Sequence, residues 1–588
     1  MVVNEFEPDE IFGELNQKFA NVSLDQAEQV YREIQHDNLY EYRDTLEFSS
    51  DYNSCYHAMK NIRRYLTQSV SLERIQNVFD LGLQNRFRTI LETPGYDELK
   101  YETAWTVTNL AYGATEHAAL LIDTGIIDAL IHCFRSSENY RVKSQTAWAL
   151  ANVSIESPRY RESMAQDHLI GDIAAALSRK CETIAKKLKS AINQDVITKN
   201  EQGQIVCHSR NDTDDIKDLT WSLANICRGG FRTVEHWEQY LASFNAFSQC
   251  ICFENKEIWT EACWGLSRIF SNMYNYDPFY KTLVLDPGLC PRLVNLLRNQ
   301  PPQAVLSVLQ TISNFSSGPN EFIEVLLNAD LLNNIWWYLS PDTHHQLRRN
   351  AMLTISNLAA GHEQIVRKVV HNENIMQYVM AHLHIPGHIY HQDTHKWVAS
   401  INASNPESTE EWRIVKESLW VLSNITTLAD NDCICALLRN YTNMIQLLSR
   451  LLHYPRLPEP ICLKVVDVFL RIVDRTNKIS ELTPPVEPSP RNSYAEEMIN
   501  EGVMPELNYL CLQIESQELM AQVELLHAAL LASSPMSSQA SGLASAFGLP
   551  TFGNQLSGPN VRRIVHGYED GDVRLIEDAI NSIKIGHS

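Results

Sequence analysis

Residues 145–154 read QTAWALANVS and residues 219–228 read LTWSLANICR. In both segments a tryptophan stands four residues before an asparagine, and the apolar residues recur at the spacing of an α-helix. The same helix returns, intact or decayed, in ETAWTVTNLA (102–111), EACWGLSRIF (261–270), VLQTISNFSS (308–317), NAMLTISNLA (350–359), ESLWVLSNIT (417–426) and KVVDVFLRIV (464–473). One helical motif is therefore repeated along most of the chain.

The distance between the copies identifies the kind of repeat. Successive register residues lie 43, 73, 43, 46, 43, 67 and 47 residues apart, and they are Trp105, Trp148, Trp221, Trp264, Gln310, Leu353, Trp420 and Asp467. A step near 43 residues is the length of an armadillo unit, a short helix followed by two longer ones. Each of the two long steps contains a polar insertion, at 188–215 and at 386–411.

Units of this kind stack into one continuous core, because a single unit cannot bury its own apolar face. The sequence therefore predicts an all-α fold, an armadillo-repeat right-handed superhelical solenoid of about ten repeats with polar insertions. We expect the array over 51–533, after an acidic segment at 1–50 and with a Pro-rich loop at 477–492. A low-complexity linker at 534–562 and a C-terminal helical segment at 563–588 follow.

Charge and cysteine content exclude several classes of protein. The chain carries 71 acidic and 49 basic residues, a formal net charge of −22. Such a field repels nucleic acid and anionic lipid and attracts cationic partners. There is no apolar stretch long enough to span a membrane and no apolar run near Met1, so we expect neither a membrane partner nor a signal peptide. The 13 scattered cysteines fit reduced thiols inside a cell.

The repeated tryptophan and asparagine suggest a binding surface for peptides. Positions i and i+4 of a helix share one face, so each tryptophan stands one turn from its asparagine. An asparagine amide donates and accepts, and it can hold the main chain of an extended peptide in a concave groove. Tryptophan rings one repeat apart leave slots for the stem of a Lys or Arg. The alternative is that both residues serve packing alone.

Other local signals are weaker. Residues 382–395, HLHIPGHIYHQDTH, contain histidines at metal-ligand spacing, but no Cys or Glu completes a site, and a polar loop is the simpler interpretation. No nucleotide-binding motif and no local catalytic motif occurs. We therefore predict no enzyme activity and no cofactor.

The motifs together resemble importin α, the adaptor that recognises nuclear localisation signals. The resemblance covers about 55 to 532. It is carried by YHAMKNIRRYLTQSVSLERIQNVFDLGLQNRFRTIL (56–91), TNLAYGATEHAALLIDTGIIDALI (108–131), LTWSLANICRGG (219–230) and NSYAEEMINEGVMPELNYLCLQIESQELMAQVELL (492–526). What it implies is an adaptor for cargo proteins with basic signals, acting in cytoplasm and nucleus.

The resemblance also implies which residues would form a major signal site. Three intact pairs match it, namely Trp105/Asn109, Trp148/Asn152 and Trp221/Asn225, together with Arg228 and Glu261. A pocket for the key lysine of the signal falls on Gly113, Ala118 and Glu156. There a Thr of the family is replaced by Ala118 and an Asp by Glu156.

A minor site of the family falls on Asn314, Asn357, Glu417, Trp420 and Asn424. An expected Arg is Gln310 and an expected Trp is Leu353. A slot that lacks one aromatic wall holds a lysine stem poorly, so we expect this site to be weakened.

The N-terminus departs from the family. Residues 1–55 hold 13 acidic residues and three basic ones, Lys18, Arg32 and Arg43. Importin α has a basic helix there that docks on importin β and folds over its own groove, and this segment lacks that charge. The resemblance therefore leaves open how an importin-β-type carrier or an export factor would bind. It also leaves open a second hypothesis, an armadillo scaffold for fixed protein assembly without a transport role.

Overall fold

The computed structural model describes residues 34–532, except for 70, 114, 190–196, 201–202, 208, 229–235, 272–287, 299, 404–405, 483–491 and 512–515. The chain divides into two compact units, Val3–Arg292 and Leu293–Ser588. The linker at 534–562 and the C-terminal helical segment at 563–588 lie outside the described residues, as do residues 1–33 and most of the Pro-rich loop.

The first unit is a row of helices interrupted by one hairpin. Its elements are α1 (Asn38–Phe48), α2 (Tyr52–Gln68), α3 (Leu72–Phe79), α4 (Gln84–Glu92), α5 (Asp97–Ala111), α6 (Thr115–Asp123), α7 (Ile126–Ser136), α8 (Tyr140–Glu156), α9 (Pro158–Gln166), α10 (Leu169–Lys189), β1 (Ile197–Lys199), β2 (Ile205–Cys207), α11 (Arg210–Ile226), α12 (Trp237–Cys250) and α13 (Lys256–Phe270). Helix α14 (Leu289–Leu296) spans the division between the units.

The second unit continues the same pattern. Its elements are α15 (Pro302–Ser316), α16 (Asn320–Asn328), α17 (Leu331–Ile335), a 3-10 turn (Trp336–Leu339), α18 (His345–Ala359), α19 (Glu363–Val370), α20 (Glu373–Ala381), β3 (His388–His391), β4 (Lys396–Ala399), α21 (Thr409–Leu428), α22 (Asn431–Asn440), α23 (Met444–Leu452), α24 (Glu459–Leu482), α25 (Ser493–Asn500), α26 (Val503–Cys511) and α27 (Gln517–Ala532).

The last helix of each repeat packs on the last helix of the next. In the first unit the row runs α2, α5, α8, α11, α13, and in the second it runs α15, α18, α21, α24, α27. Every predicted register residue lies in one of these helices. Several begin at a side chain that caps the first free N–H groups, namely Asn139, Ser209, Asn255 and Ser408. The prediction of an all-α armadillo solenoid is confirmed.

Small and branched apolar residues on these helices form the shared core. On α8, Ala147, Leu150, Ala151 and Val153 are completely buried. Alanines let neighbouring helices approach closely, and the leucine and valine fill the space between them. Burial of this face therefore depends on both neighbouring repeats.

The first insertion, predicted as a polar loop, contains a β-hairpin. Strands β1 and β2 pair antiparallel, with Thr198 opposite Val206. The N–H of Ile205 donates to the carbonyl of Cys252 at 2.8 Å, and the N–H of Glu254 donates to the carbonyl of Ile205 at 2.9 Å. Strand β2 of the hairpin is therefore hydrogen-bonded to the backbone of the turn after α12.

The second insertion also contains a hairpin, formed by β3 and β4 with Ile389 opposite Val398. The indole of Trp397 donates to the carbonyl of Arg450 at 2.6 Å. The guanidinium of Arg450 lies 4.8 Å from the ring centre of Tyr390. These contacts hold the hairpin against α23, so this insertion is structured too.

The folded part of the first unit begins earlier than predicted. Helix α1 packs on α2, and its Leu39 and Leu46 are completely buried. The N–H of Ile34 donates to the side chain of Gln68 at 3.2 Å. Residues 34–48 thus belong to the folded unit, whereas the sequence assigned them to an acidic N-terminal segment.

Among the described helices, none is both long and apolar enough to cross a membrane alone. The pair α6 and α7 meets that test only when taken together, across a bend of 71°.

Candidate functional site

Three Trp/Asn pairs occupy equivalent places on consecutive helices of the first unit. Trp105 and Asn109 lie on α5, Trp148 and Asn152 on α8, and Trp221 and Asn225 on α11. The three tryptophans are half-buried, and Asn152 and Asn225 are buried. These helices pack in sequence, so the three pairs form one row. We call this row the first ladder.

The ladder asparagines join neighbouring repeats. Nδ2 of Asn152 donates to the carbonyl of Thr108 at 3.0 Å, in the repeat before it. In the second unit, Nδ2 of Asn357 donates to the carbonyl of Ser313 at 3.2 Å, and Nδ2 of Asn424 donates to that of Ser356 at 3.1 Å. Each acceptor carbonyl belongs to the residue directly before the corresponding asparagine of the previous repeat. The amide therefore has a packing role, and Nδ2 of Asn357 also donates to the hydroxyl of Ser316 at 3.1 Å. The oxygen of each amide is an acceptor that a ligand could use.

Asn225 and Asn109 of the first ladder depart from this rule. Nδ2 of Asn225 donates to the carbonyl of Trp221 on its own helix at 3.0 Å. In the next repeat Arg268 stands where the asparagine would be, and it donates to the carbonyl of Ala224. In the described part of the chain, no acceptor lies within hydrogen-bonding distance of the buried Nδ2 of Asn109.

Arginines gather around the end of the first ladder. Burial, and after it the nearby charge of Arg228, lower the pKa of Arg268 to about 10, while the carboxylate of Glu261 opposes this shift. Glu261 is buried on α13. The predicted site residues Arg228 and Glu261 are thus close enough to act on the same guanidinium.

The rings of Trp148 and Trp221 touch each other. Their centroids are 5.5 Å apart and their planes are inclined by 50°. An alkyl stem between two rings needs about 7 Å, because carbon atoms in contact are about 3.5–4.0 Å apart. The predicted slot between these two tryptophans is therefore closed in this structure.

An arginine of the chain itself covers Trp105. The guanidinium carbon of Arg63 lies 4.1 Å from the ring centre. Nε of Arg63 also donates to Oε2 of the buried Glu102 at 2.7 Å. The ring of Tyr101 contacts Trp105 edge-on at 5.6 Å. One face of this tryptophan is thus used inside the fold.

The predicted lysine pocket is only partly described. A Cβ at Gly113 would lie 2.2 Å from Nδ1 of His117, so the helix after this turn needs glycine there. His117 in turn stacks on Phe79 with centroids 5.2 Å apart. Ala118 is buried. Glu156 ends α8, and its side chain lies outside the described residues.

Sequence reasoning missed Asp218. This residue lies one turn before Trp221 on α11, on the same face of the helix. Its pKa is raised to about 7, mainly by loss of solvation and also by the carboxylates of Asp214, Asp215 and Glu257, while the charge of Lys217 opposes the shift. An acidic residue also stands three residues before Trp105, Trp264 and Trp420. An acidic residue at this repeated position, three residues before the tryptophan, is the sequence signal that could have identified Asp218.

The second unit contains the residues of the predicted minor site. Asn314, Asn357 and Asn424 lie on α15, α18 and α21, and Glu417 and Trp420 also lie on α21. Glu417 is buried. Nε2 of Gln310 donates to Oδ1 of Asn314 at 3.2 Å. We call these residues the second ladder.

Sequence reasoning also missed Lys464, on α24. Its ammonium nitrogen lies 3.4 Å from the ring centre of Trp420. Lys464 is the first residue of the decayed repeat at 464–473. The sequence pattern does not show that this side chain reaches the ring of Trp420.

The histidine-rich segment at 382–395 forms contacts within the protein. His382 is buried, and its Nε2 pairs with the carbonyl of Leu339 at 2.7 Å. Burial lowers the pKa of His382 to about 3. The part of the chain that the structure describes contains no cluster of three or more His, Cys, Asp or Glu suited to a metal ion.

Comparison with known proteins supports the repeat assignment. The model of the Armadillo/beta-catenin-like repeat matches residues 115–155, which include α6, α7 and α8 up to residue 155, with Trp148 and Asn152. Importin subunit alpha-1a of Oryza sativa subsp. japonica is 24% identical over 326 residues, 55% of this chain and 54% of the relative. Importin subunit alpha-2 of Arabidopsis thaliana is 29% identical over 234 residues, 39% of this chain and 37% of the relative. The chain is a divergent, importin-α-like armadillo protein.

This armadillo protein matches up to about half the length of those two relatives. Its fold is also that of an engineered protein of known crystal structure, with a TM-score of 0.61 and 16% identity. That match covers 85% of this chain and all of the engineered one. The likeness to this engineered protein shows the fold alone.

Proposed function

We propose that this armadillo protein is an importin-α-like adaptor that binds basic, nuclear-localisation-type peptides of cargo proteins for nuclear import. The observation that carries the proposal is the first ladder, with three intact Trp/Asn pairs on consecutive packed helices of the first unit. Such a row offers amides at regular intervals to the main chain of an extended peptide.

Charge supports a basic ligand. Asp218 and Glu261 each lie three residues before a ladder tryptophan, and the whole chain carries a net charge of −22. A carboxylate beside an aromatic ring is a favourable place for an ammonium or guanidinium group. In this proposal the stem of a ligand Lys or Arg lies against the half-buried rings of Trp148 and Trp221, and its charge faces Asp218.

The proposal also includes where and with whom the protein acts. Cargo proteins with basic signals are the partners, and an importin-β-type carrier or an export factor would bind in a mode other than the basic-arm mode, because residues 1–55 lack a basic cluster. The protein would work in cytoplasm and nucleus.

A labelled lysine-rich peptide and the full-length chain provide the test. Fluorescence anisotropy at low ionic strength should show saturable binding, and added salt should weaken it strongly, because exposed charges are screened. A matched peptide with glutamate at every lysine position is the control and should not bind. Absence of binding of the basic peptide at low ionic strength would contradict the proposal.

A second candidate is an armadillo scaffold for fixed protein assembly. It is favoured by the asparagine amides that join repeats and by the two tryptophans covered by cations of the chain itself. A pull-down from cell extract separates the two candidates. The adaptor predicts recovery of basic cargo with a carrier or export factor, and the scaffold predicts a partner without basic signals.

A further inference from the structure

The ring of Trp420 is occupied by a side chain of the same unit. Nζ of Lys464 lies 3.4 Å from the ring centre, within the range of a strong cation–π contact. Both residues are half-buried, and α21 packs directly on α24. The lysine thus takes the position that the proposed function assigns to a lysine of the ligand.

Neighbouring contacts fix the two helices at this point. One turn after Lys464, Asp467 accepts from the hydroxyl of Ser423 at 2.6 Å, which joins α24 to α21. The same carboxylate accepts from Nε of Arg471 at 2.9 Å. Asp467 is therefore held between the two helices. This contact fixes the backbone of α24 one turn from Lys464, next to the ring of Trp420.

The charge at this register position is reversed relative to other repeats. The residue three before the register position is Glu102, Asp218, Glu261 or Glu417 in four of the other repeats, whereas it is Lys464 in this one. An acidic residue at this offset attracts a cationic ligand. A lysine there repels such a ligand and supplies the cation itself.

We propose that Lys464 is an intramolecular occupant of the Trp420 subsite and thereby excludes basic side chains of a ligand from the second ladder. This inference rests on the proposed function, and it deepens it by restricting basic-peptide binding to the first ladder. Lys464 is a specificity-determining residue in this account. Because it is attached to the fold, its effective concentration at the ring is on the order of millimolar or higher, and a free lysine side chain competes poorly.

Calorimetric titration of the full-length chain with a lysine-rich peptide tests the inference. The wild type should bind one peptide, and Lys464→Ala should bind two. Adding Trp420→Ala to Lys464→Ala should remove the gained site. Circular dichroism and the thermal midpoint establish that each variant is folded.

Lys478→Ala is the matched control, because Lys478 lies on the same helix and pairs with Asp474 at 2.8 Å, away from the ring. Lys478→Ala changes the net charge by the same amount as Lys464→Ala, but it leaves Lys464 on the ring of Trp420. The stoichiometry should therefore stay at one peptide. If both lysine variants bound a second peptide equally well, the gain would be a general effect of charge, and the inference would be overturned.

The remaining outcomes separate the inference from the proposed function. One peptide bound by both wild type and Lys464→Ala overturns the inference and leaves the proposed function standing. Two peptides bound by the wild type also overturn it, since Lys464 would then exclude nothing. No peptide bound by either protein overturns both. No binding by the wild type and one peptide bound by Lys464→Ala supports the inference and contradicts the first-ladder site.

Discussion

The side-chain amide of Asn152 donates a hydrogen bond of 3.0 Å to the carbonyl of Thr108, one repeat earlier in the chain. Asn152 and its acceptor lie on α8 and α5, which pack on each other. The bond therefore joins two repeats through a residue of the first ladder. The proposed function gives the same amide a second use, as a contact for the main chain of a peptide.

Replacing Asn152 should lower stability more than replacing Asn109. Asn152→Ala leaves a buried carbonyl at Thr108 without its partner, which costs about 1–3 kcal/mol. Asn109→Ala removes a buried Nδ2 that has no acceptor among the described residues, so its cost should be smaller. The midpoints of thermal unfolding of the two variants make the comparison. A larger loss for Asn109→Ala would contradict this role of the amide.

Binding of a basic peptide should strengthen as the pH rises through the pKa of Asp218. That pKa is raised to about 7, so the carboxyl is largely neutral below it and charged above it. Only the charged form attracts a ligand cation, and affinity should therefore be higher at about pH 8 than at about pH 6. Anisotropy titrations across this range measure the effect.

Asp218→Asn should flatten the pH dependence between those values. Asp214→Asn is the matched control, because it removes the same charge from the same helix, and Asp214 lies 3.5 Å from the ammonium of Lys217. The control should retain a pH dependence, with its midpoint moved to lower pH, because the Asp214 carboxylate contributes to the raised pKa of Asp218. If Asp218→Asn kept the full dependence, another group would control it.

Removal of the N-terminal segment should have two different effects, depending on where the cut falls. A chain beginning at residue 51 lacks α1, whose Leu39 and Leu46 are completely buried against the first unit. Exposure of the surface they cover should lower the thermal midpoint. A chain beginning at residue 34 keeps α1 and serves as the control, and its midpoint should be the higher of the two. Equal midpoints for both chains would show that α1 adds no stability.

The repeat could be predicted from the sequence because its frame recurs at fixed steps. All eight register residues, from Trp105 to Asp467, lie in helices of the two packed rows. The hairpins could not be predicted in the same way. Strands such as ITK and IVC are only three residues long and stand among polar residues. Their alternation of apolar and polar residues is too short to predict a strand.

The chemistry of the ladder could be predicted only in part. The i, i+4 spacing correctly placed each tryptophan beside its asparagine. It did not show that Trp148 and Trp221 meet at 5.5 Å, because ring contacts between repeats depend on side-chain rotamers and on the distance between helices. The contact of Lys464 with Trp420 was hidden for the same reason.

The comparison of two tryptophan variants tests the central claim most directly. Calorimetry with one basic signal-type peptide should show that Trp148→Ala combined with Trp221→Ala lowers affinity by at least about tenfold, or about 1.4 kcal/mol. Trp420→Ala should change it little, because Lys464 already covers that ring. Circular dichroism confirms that each variant is folded. A larger loss for Trp420→Ala would contradict the account and place the working site on the second ladder.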